Sequence, residues 1–308
     1  QTEFFGPVVG IMRASSLAQA IAWQNATSFG LTAGLHSLDS DEVAEWLDEV
    51  EAGNLYVNRS ITGAIVRRQP FGGWKRSSVG AGAKAGGPNY LIHLGAWRNE
   101  PGVPSTGLSL SELDPHIATL LTAATSELHW EDFDVVRRGA ISDHTAWTTF
   151  FTAPQDVSEL GVERNIFRYV PIPVVIRLSE GASLRDLVRM LLAGILVQAP
   201  LFVSSSLPLP APLHALVKNY DVDIFVEDDE AWIKRAASAG EGTARMRLIG
   251  GDASQLAEVL GGNPDVTIYS GEVTQAGRIE LLPFLREQAV SITNHRFGNP
   301  SLLSTDII

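Results

Sequence analysis

The sequence predicts an α/β fold in two domains, and three observations carry that reading. Short apolar runs alternate with stretches of helical periodicity, the pattern of strand–helix–strand units. In the second half the strand-like runs are short and largely apolar and are spaced by helices, which predicts a doubly wound, mostly parallel sheet. Between the halves, Arg98 to Gly107 (RNEPGVPSTG) is a linker by composition, which places the domains at 1–103 and 104–308.

Taken in order, Gly6 to Arg13 (GPVVGIMR) reads as a short buried strand. Ser16 is placed to cap a helix running to about Asn25, with Leu17 and Ile21 on one face. Leu31 to Ser37 is a second strand. Asp39 to Ala52 is a helix, because Val43, Trp46, Leu47 and Val50 fall at the i, i+3, i+4, i+7 spacing with acids opposite. Gly53 is expected to end it as a C-terminal glycine does. Leu55 to Val57 is a strand. Thr62 to Pro88 is rich in glycine, holds Pro70 and lacks periodicity, so a long functional loop is expected. Tyr90 to Trp97 returns to strand character.

In the second domain Leu110 to Leu128 reads as a helix. Val174 to Leu178, Leu201 to Ser205, Val222 to Val226, Arg245 to Ile249 and Val266 to Tyr269 are the predicted strands. Ser183 is placed to cap a helix with Leu184, Leu187, Val188, Leu191, Leu192 and Ile195 on one stripe. Further helices are expected at Pro212 to Asn219, Glu230 to Ala239 and Ala253 to Leu260, and a last one at Glu280 to Ala289.

Composition narrows function. Hydrophobic residues make up 45% of the chain and charged residues 19%, enough for a sizeable core. No apolar run reaches the ~18–20 residues of a membrane span; Leu184 to Val203 comes closest and is interrupted by Arg185, Asp186 and Arg189. The start lacks the basic and apolar regions of a signal peptide, and it lacks Met, so a piece of a longer, cytoplasmic protein is expected. With no cysteine, this chain carries no disulfide, no thiolate-bound zinc and no thiol nucleophile. Residues 1–100 have a net charge of −1 and the rest −11, which argues against nucleic acid as a partner. The seven histidines lack metal-ligand spacing, so no metal site is expected. Gly80 to Lys84 lacks the G-K-[ST] ending of a phosphate loop.

Three strings in the first hundred residues resemble the aldehyde dehydrogenase family: Glu3-Phe4-Phe5-Gly6-Pro7-Val8; Phe29 to Leu35 followed by Glu51 to Asn58; and Gln69-Pro70-Phe71-Gly72-Gly73. With Thr62-Gly63-Ala64 and Lys84-Ala85-Gly86-Gly87-Pro88 they resemble the L-glutamate γ-semialdehyde (1-pyrroline-5-carboxylate) dehydrogenase branch. Arg278 to Thr293, ending in His295-Arg296-Phe297-Gly298, resembles the C-terminal motif of its long, bifunctional proline-utilisation form. The implied fold is the C-terminal piece of an aldehyde dehydrogenase catalytic domain followed by a degenerate Rossmann-like domain.

The resemblance implies an NAD-dependent oxidation of L-glutamate γ-semialdehyde to L-glutamate in proline degradation. It implies a homo-oligomeric parent, with Tyr90 to Trp97 as the dimerising strand and FAD in an upstream proline dehydrogenase domain where one is present. Glu3 matches the glutamate that holds the nicotinamide ribose, and Phe5 the aromatic near the nicotinamide. Gly63 and Ala64 match the loop that anchors the substrate carboxylate through backbone N–H groups, and Phe71 the aromatic flanking the aldehyde chain. Arg67-Arg68 and Trp74 to Ser78 replace smaller stretches, so substrate preference stays open. The nucleophilic cysteine and the base glutamate are expected outside this chain, which is expected to be inactive alone. The competing expectations are a non-catalytic structural or assembly module, and an aldehyde dehydrogenase of other substrate preference.

Overall fold

The computed structural model describes residues 4–100, 105, 107–220, 222–238, 244–301, 303–305 and 307–308. The chain order is α1 (Leu17–Asn25), β1 (Phe29–Gly30), β2 (Thr32–Leu35), α2 (Ser40–Glu49), β3 (Asn54–Val57), β4 (Trp74–Lys75), α3 (Pro115–Ala123) and α4 (Trp130–Ala146). It continues with β5 (Glu163–Pro171), β6 (Val174–Leu178), α5 (Leu184–Leu196), β7 (Leu201–Ser205), α6 (Ala211–Val217), β8 (Asp223–Val226) and α7 (Asp229–Ser238). Last come β9 (Ala244–Ile249), α8 (Ala253–Val259), β10 (Val266–Tyr269), α9 (Gly277–Glu280), β11 (Leu285–Thr293), β12 (His295–Arg296) and β13 (Asn299–Pro300).

Two compact units form, and neither is a continuous stretch of sequence. The first comprises Gln1–Tyr90, Pro154–Arg168 and Glu287–Ile308; the second comprises Leu91–Ala153 and Tyr169–Arg286. The expected division at 103/104 falls outside the described residues, and the compact units follow a different rule, because two later segments return to the first.

In the first unit β3 is the organising strand. It is buried at all four positions. It pairs in parallel with β2 on one side and with β11 on the other, Leu55 standing opposite Ala33 and Val290. The helix α2 carries its apolar stripe as the spacing predicts: Val43, Trp46 and Leu47 are buried and join Leu55, Val57, Ile166, Val290 and Ile292 in one core. Asp39 caps α2, its carboxylate accepting from the N–H groups of Asp41 and Glu42. Ser16 caps α1 through the Gln19 N–H.

The second unit holds a five-stranded parallel sheet in the order β10-β9-β6-β7-β8. Reading outward from β6, this is the doubly wound order in which successive strands add first to one side and then to the other. The stripe on α5 is buried as expected at Leu187, Val188, Leu191, Leu192 and Ile195. Arg189 on the same helix is buried too, forking onto the Asp143 carboxylate of α4 with Nη2 2.7 Å from Oδ1. Burial pushes Asp143 up to about 6, against the pull of Arg189, and the nearby Glu280 charge adds to the rise.

Several expected elements take other forms. Gly6 to Arg13 is exposed and irregular, since among the described residues it has no ladder partner beyond a turn bond from Val8 N to Gly6 O. Tyr90–Leu94 is a 3-10 turn and not a strand; Trp97 Nε1 donates to Ile92 O at 2.8 Å and folds the segment onto itself. The helix expected over Leu110 to Leu128 starts only at Pro115, because Asp114 caps it and Pro115 suits its first position. The helix expected over Glu280 to Ala289 gives way at Leu282–Phe284 to a 3-10 turn containing Pro283 and then to β11. There the open edge of β3 supplies ladder bonds that a helix would forgo.

Gly53 also has a different role. The α2 helix already ends at Val50. A Cβ at Gly53 would stand 2.0 Å from Gly72 O and 2.9 Å from Gly73 Cα, so glycine here serves close backbone approach. Gly53→Ala should therefore lower unfolding free energy by about 2 kcal/mol or more, because backbone and not a flexible side chain would have to give way. Urea denaturation checks this, and a loss below about 0.5 kcal/mol would contradict it.

Candidate functional site

The long loop between β3 and residue 90 is fixed by buried polar groups, not by secondary structure. The Asn54 carboxamide donates from Nδ2 to Pro70 O at 3.0 Å, and its Oδ1 accepts from Gly72 N at 3.2 Å and Lys84 Nζ at 3.1 Å. Lys84 Nζ also donates to Gly72 O. The backbone N–H of Lys84 donates to Glu287 Oε2 at 2.7 Å, and Asn89 Nδ2 donates to Glu287 Oε1 at 2.8 Å. Trp74 Nε1 reaches Glu287 O at 2.7 Å. Phe71 and Ala85 exchange both backbone hydrogen bonds, at 3.0 and 2.9 Å. The outcome is a single antiparallel bridge that ties Phe71 to Ala85.

A second cluster holds the other end of the loop. Gln69, buried to 2% exposure, donates from Nε2 to Glu163 Oε1 at 2.9 Å and to Asn165 Oδ1 at 2.7 Å. Glu163 pairs with Arg59 at 2.6 Å, and the Arg59 guanidinium lies 5.3 Å from the centre of the Tyr56 ring. Tyr56 donates its hydroxyl to Gly63 O at 3.2 Å. Burial raises its pKa, which keeps the phenol a donor. Gly63 takes φ +89, the left-handed region that glycine adopts without strain, and a Cβ there would meet only Arg59 Nη2, at 3.9 Å.

The structure brings Gly63, Ala64 and Phe71 onto one loop, linked through Gln69, Glu163 and Arg59. Gly63 and Ala64 are exposed, and among the described residues neither N–H group has a hydrogen-bond acceptor. Phe71 is 36% exposed. Phe5 is not joined to them: it is 91% exposed, and no hydrogen bond, ion pair or ring contact ties it to the loop among the described residues. Glu3 lies outside the described residues.

Asn54, Lys84 and Glu287, which hold this loop, lie within the strings that carry the resemblance, but the sequence alone assigns them no role. Asn54 follows a glycine at a strand start, Lys84 sits in what reads as exposed glycine-rich loop, and Glu287 lies 203 positions from its partner at Lys84. No local pattern encodes such a pairing. Gly80 to Lys84 does not form a phosphate loop; the lysine is 1% exposed and faces oxygens of its own chain.

A dinucleotide needs a second test, at the doubly wound sheet. In such a sheet ligands bind beyond the carboxyl ends of the strands where the order reverses, here between β6 and β9. That crevice is packed shut. Cβ atoms at Gly250 and Gly251 would stand 2.8 Å from Ala182 Cβ and 2.4 Å from Ser179 Oγ. The turn after β6 reads Ser179-Glu180-Gly181-Ala182-Ser183, and the Glu180 N–H is spent on Asp229 Oδ2 at 3.2 Å. A cavity beside this turn, lined by Ser179, Asp229 and Gly251, holds about 40 Å³, far below the ~300 Å³ at which small-molecule pockets begin. This sheet does not fit a dinucleotide. In the first unit, Phe5 offers a free aromatic face, which fits one contact of a cofactor held mainly elsewhere. Among the described residues no His, Asp or Glu cluster could hold a metal ion, and no helix is long and apolar enough to cross a membrane.

Burial lowers the Lys84 pKa from 10.5 to about 7, with the Glu287 charge opposing. The unfolded chain therefore takes up a proton at Lys84 before the folded chain does. The resulting penalty is absent above pH 10.5, grows as pH falls, and is complete below about 7. Wild type should gain on the order of a few kcal/mol from this group between pH 7 and 10, relative to Lys84→Met. Urea midpoints of the two proteins across that range test it; parallel profiles would contradict it.

Comparison with known proteins matches the aldehyde dehydrogenase family to residues 1–95. The bifunctional protein PutA of Salmonella typhimurium is 35% identical over 171 residues, covering 53% of this chain and 12% of that protein. The 1-pyrroline-5-carboxylate dehydrogenase of Bacillus licheniformis is 45% identical over 97 residues, 31% of this chain and 18% of that protein. The structure of proline utilization A from Corynebacterium freiburgense superposes with a TM-score of 0.71 at 41% identity, covering 96% of this chain and 26% of that one. The chain thus spans between about a tenth and a quarter of the length of these relatives. Residues 1–95 thus match the aldehyde dehydrogenase family, and the chain has a mixed α/β fold similar to that of part of a proline utilization A protein.

Proposed function

We propose that this chain is part of an NAD-dependent dehydrogenase that oxidises L-glutamate γ-semialdehyde to L-glutamate in proline degradation. The observation that carries the reading is the Gly63–Ala64 turn. Two adjacent backbone N–H groups without acceptors among the described residues, on an exposed turn set by a left-handed glycine, suit the α-carboxylate of an amino-acid aldehyde. Phe71 stands on the same loop as a half-exposed aromatic that flanks the aliphatic chain. The names of the relatives, PutA and 1-pyrroline-5-carboxylate dehydrogenase, support this substrate.

In the reaction this chain binds and orients. Gly63 and Ala64 hold the carboxylate end, Tyr56 and Arg59 support the turn from below, and Phe71 limits how the aldehyde end swings. Fixing both ends of a small flexible substrate supplies the positioning that makes attack effectively unimolecular. Glu3 and Phe5 would hold the nicotinamide end of the cofactor, and NAD, when bound, accepts the hydride. The covalent step needs a thiolate, and these 308 residues contain no cysteine, so the nucleophile comes from outside them; the resemblance puts the base glutamate there too. We assign the doubly wound unit a structural role, on the strength of its closed crevice.

Two outcomes follow. The isolated chain, supplied with the semialdehyde and NAD, should reduce no cofactor above background at 340 nm; turnover would refute the assignment of the nucleophile. In a full-length enzyme carrying this segment, Phe71→Ala should raise KM for the semialdehyde roughly tenfold, the value of about 1.4 kcal/mol of lost binding, while leaving KM for NAD in place. Unchanged KM for the semialdehyde would remove Phe71 from the substrate site.

A further inference from the structure

We propose that Lys84 is a positioning residue for the aldehyde site: its amine latches the Gln69–Gly73 turn to β3 and so sets where Phe71 stands. The proposal rests on the reading of Phe71 given above, but the latch itself stands on geometry. Lys84 is 1% exposed, among the largest fully buried side chains of the protein. Its Nζ reaches two oxygens, Asn54 Oδ1 on β3 and Gly72 O directly after Phe71. Asn54 in turn holds Pro70 O and Gly72 N, the two positions on either side of Phe71. Lys84 and Asn54 together therefore fix the backbone on both flanks of that ring.

Glycines close the chamber around the amine. A Cβ at Gly53 would stand 2.8 Å from Nζ, and one at Gly72 would stand 3.3 Å from Lys84 Cγ. Side chains at these positions would displace the lysine. Among the described residues the chamber offers two acceptors. A neutral amine has two N–H donors and is satisfied by them; an ammonium has three, and the third is left buried without an acceptor, at a cost of roughly 1–3 kcal/mol. The surroundings add little to stabilise the charge. Asn54 faces it from β3 and Gly72 from the turn, both neutral. From β11 comes Glu287, the one charge acting on it among the described residues, whose carboxylate oxygens already accept from Lys84 N and Asn89 Nδ2. The latch is thus tight when the amine is neutral and strained when it is protonated. Protonation would loosen the turn and the Phe71–Ala85 pairing.

The test uses the full 308-residue chain with isotopically labelled lysine. The Lys84 side-chain resonance is followed against pH, together with amide exchange at Phe71 and Ala85, each normalised to Leu55 and Tyr56 on β3. The expected result is a side-chain titration near pH 7, with normalised exchange at Phe71 and Ala85 roughly tenfold faster below it than above. Lys84→Met should exchange fast at every pH and lose the step. No step in the wild type, or unchanged exchange in Lys84→Met, overturns the latch. If that variant fails to fold, the wild-type titration decides alone. In a full-length enzyme, Lys84→Met should raise KM for the semialdehyde as Phe71→Ala does and leave KM for NAD unchanged. A KM rise with Phe71→Ala but not with Lys84→Met overturns the positioning role. A clear exchange step with neither variant moving KM leaves the latch standing and removes the substrate reading of Phe71.

Discussion

The Asn54 carboxamide makes three hydrogen bonds in the interior of the first unit, one given to Pro70 O and two accepted, from Gly72 N and Lys84 Nζ. Its position at the start of β3 is itself fixed by ladders on both sides. The result is a loop some thirty residues long, held with few regular hydrogen bonds of its own. Buried amides of this kind are costly when half satisfied and rigidifying when fully satisfied. Here the capacity is spent on backbone groups beside Phe71, so the order of the strand is passed to a loop that has none by sequence. The Glu163 cluster does the same for the Gly63 end.

The second unit is built on a different principle. Its central strands carry buried arginines: Arg177 on β6, and Arg245 and Arg247 on β9. Arg177 reaches Asp229, Ser204 and Glu227 O; Arg247 pairs with Glu280; Arg245 donates to the carbonyls of Leu282, Pro283 and Leu285. Alternation along β9 sends these arginines to one face and Met246 and Leu248 to the other, where they pack with Trp232, Ala236 and Leu256. Buried ion pairs contribute less to net stability than apolar packing would, because desolvation offsets the attraction. Their effect here is to hold irregular chain, the turn at 282–285 and the start of α7, in one place against the sheet.

Much of this was legible in the sequence where the physics is local. The α2 stripe at Val43, Trp46 and Leu47, the cap at Ser16, and the strands at Val174 to Leu178, Leu201 to Ser205 and Val266 to Tyr269 follow from spacing and capping chemistry alone. Gly63, Ala64 and Phe71 were found by resemblance, and the structure sets them on one loop. What was not legible depends on partners far away in the chain. Glu280 to Ala289 has helical composition, but Ala289 to Ile292 meet an open strand edge more than 230 residues earlier and extend along it. Lys84 in a glycine-rich run gives no local hint of burial, because Glu287 and the β3 amide that enclose it lie outside any sequence window. Nothing local in Arg245 to Ile249 shows that Arg245 and Arg247 are buried, because the turn that takes up the Arg245 donors lies some forty residues on.

The return of β11 to β3 sets an order on synthesis. Residues 1–90 emerge from the ribosome long before Glu287 to Ile308, with the whole second unit made in between. During that interval β3 has one neighbour instead of two, its far edge is bare, and Lys84 N, Asn89 and Trp74 lack the Glu287 groups they bond. At about 5–20 residues per second the wait is on the order of ten seconds or more, and an unpaired apolar edge invites association with other chains meanwhile. The second unit has no such debt, since its five strands lie between residues 174 and 269 and each can pair as it appears. Of these segments, the one translated last is therefore the one that completes the first unit.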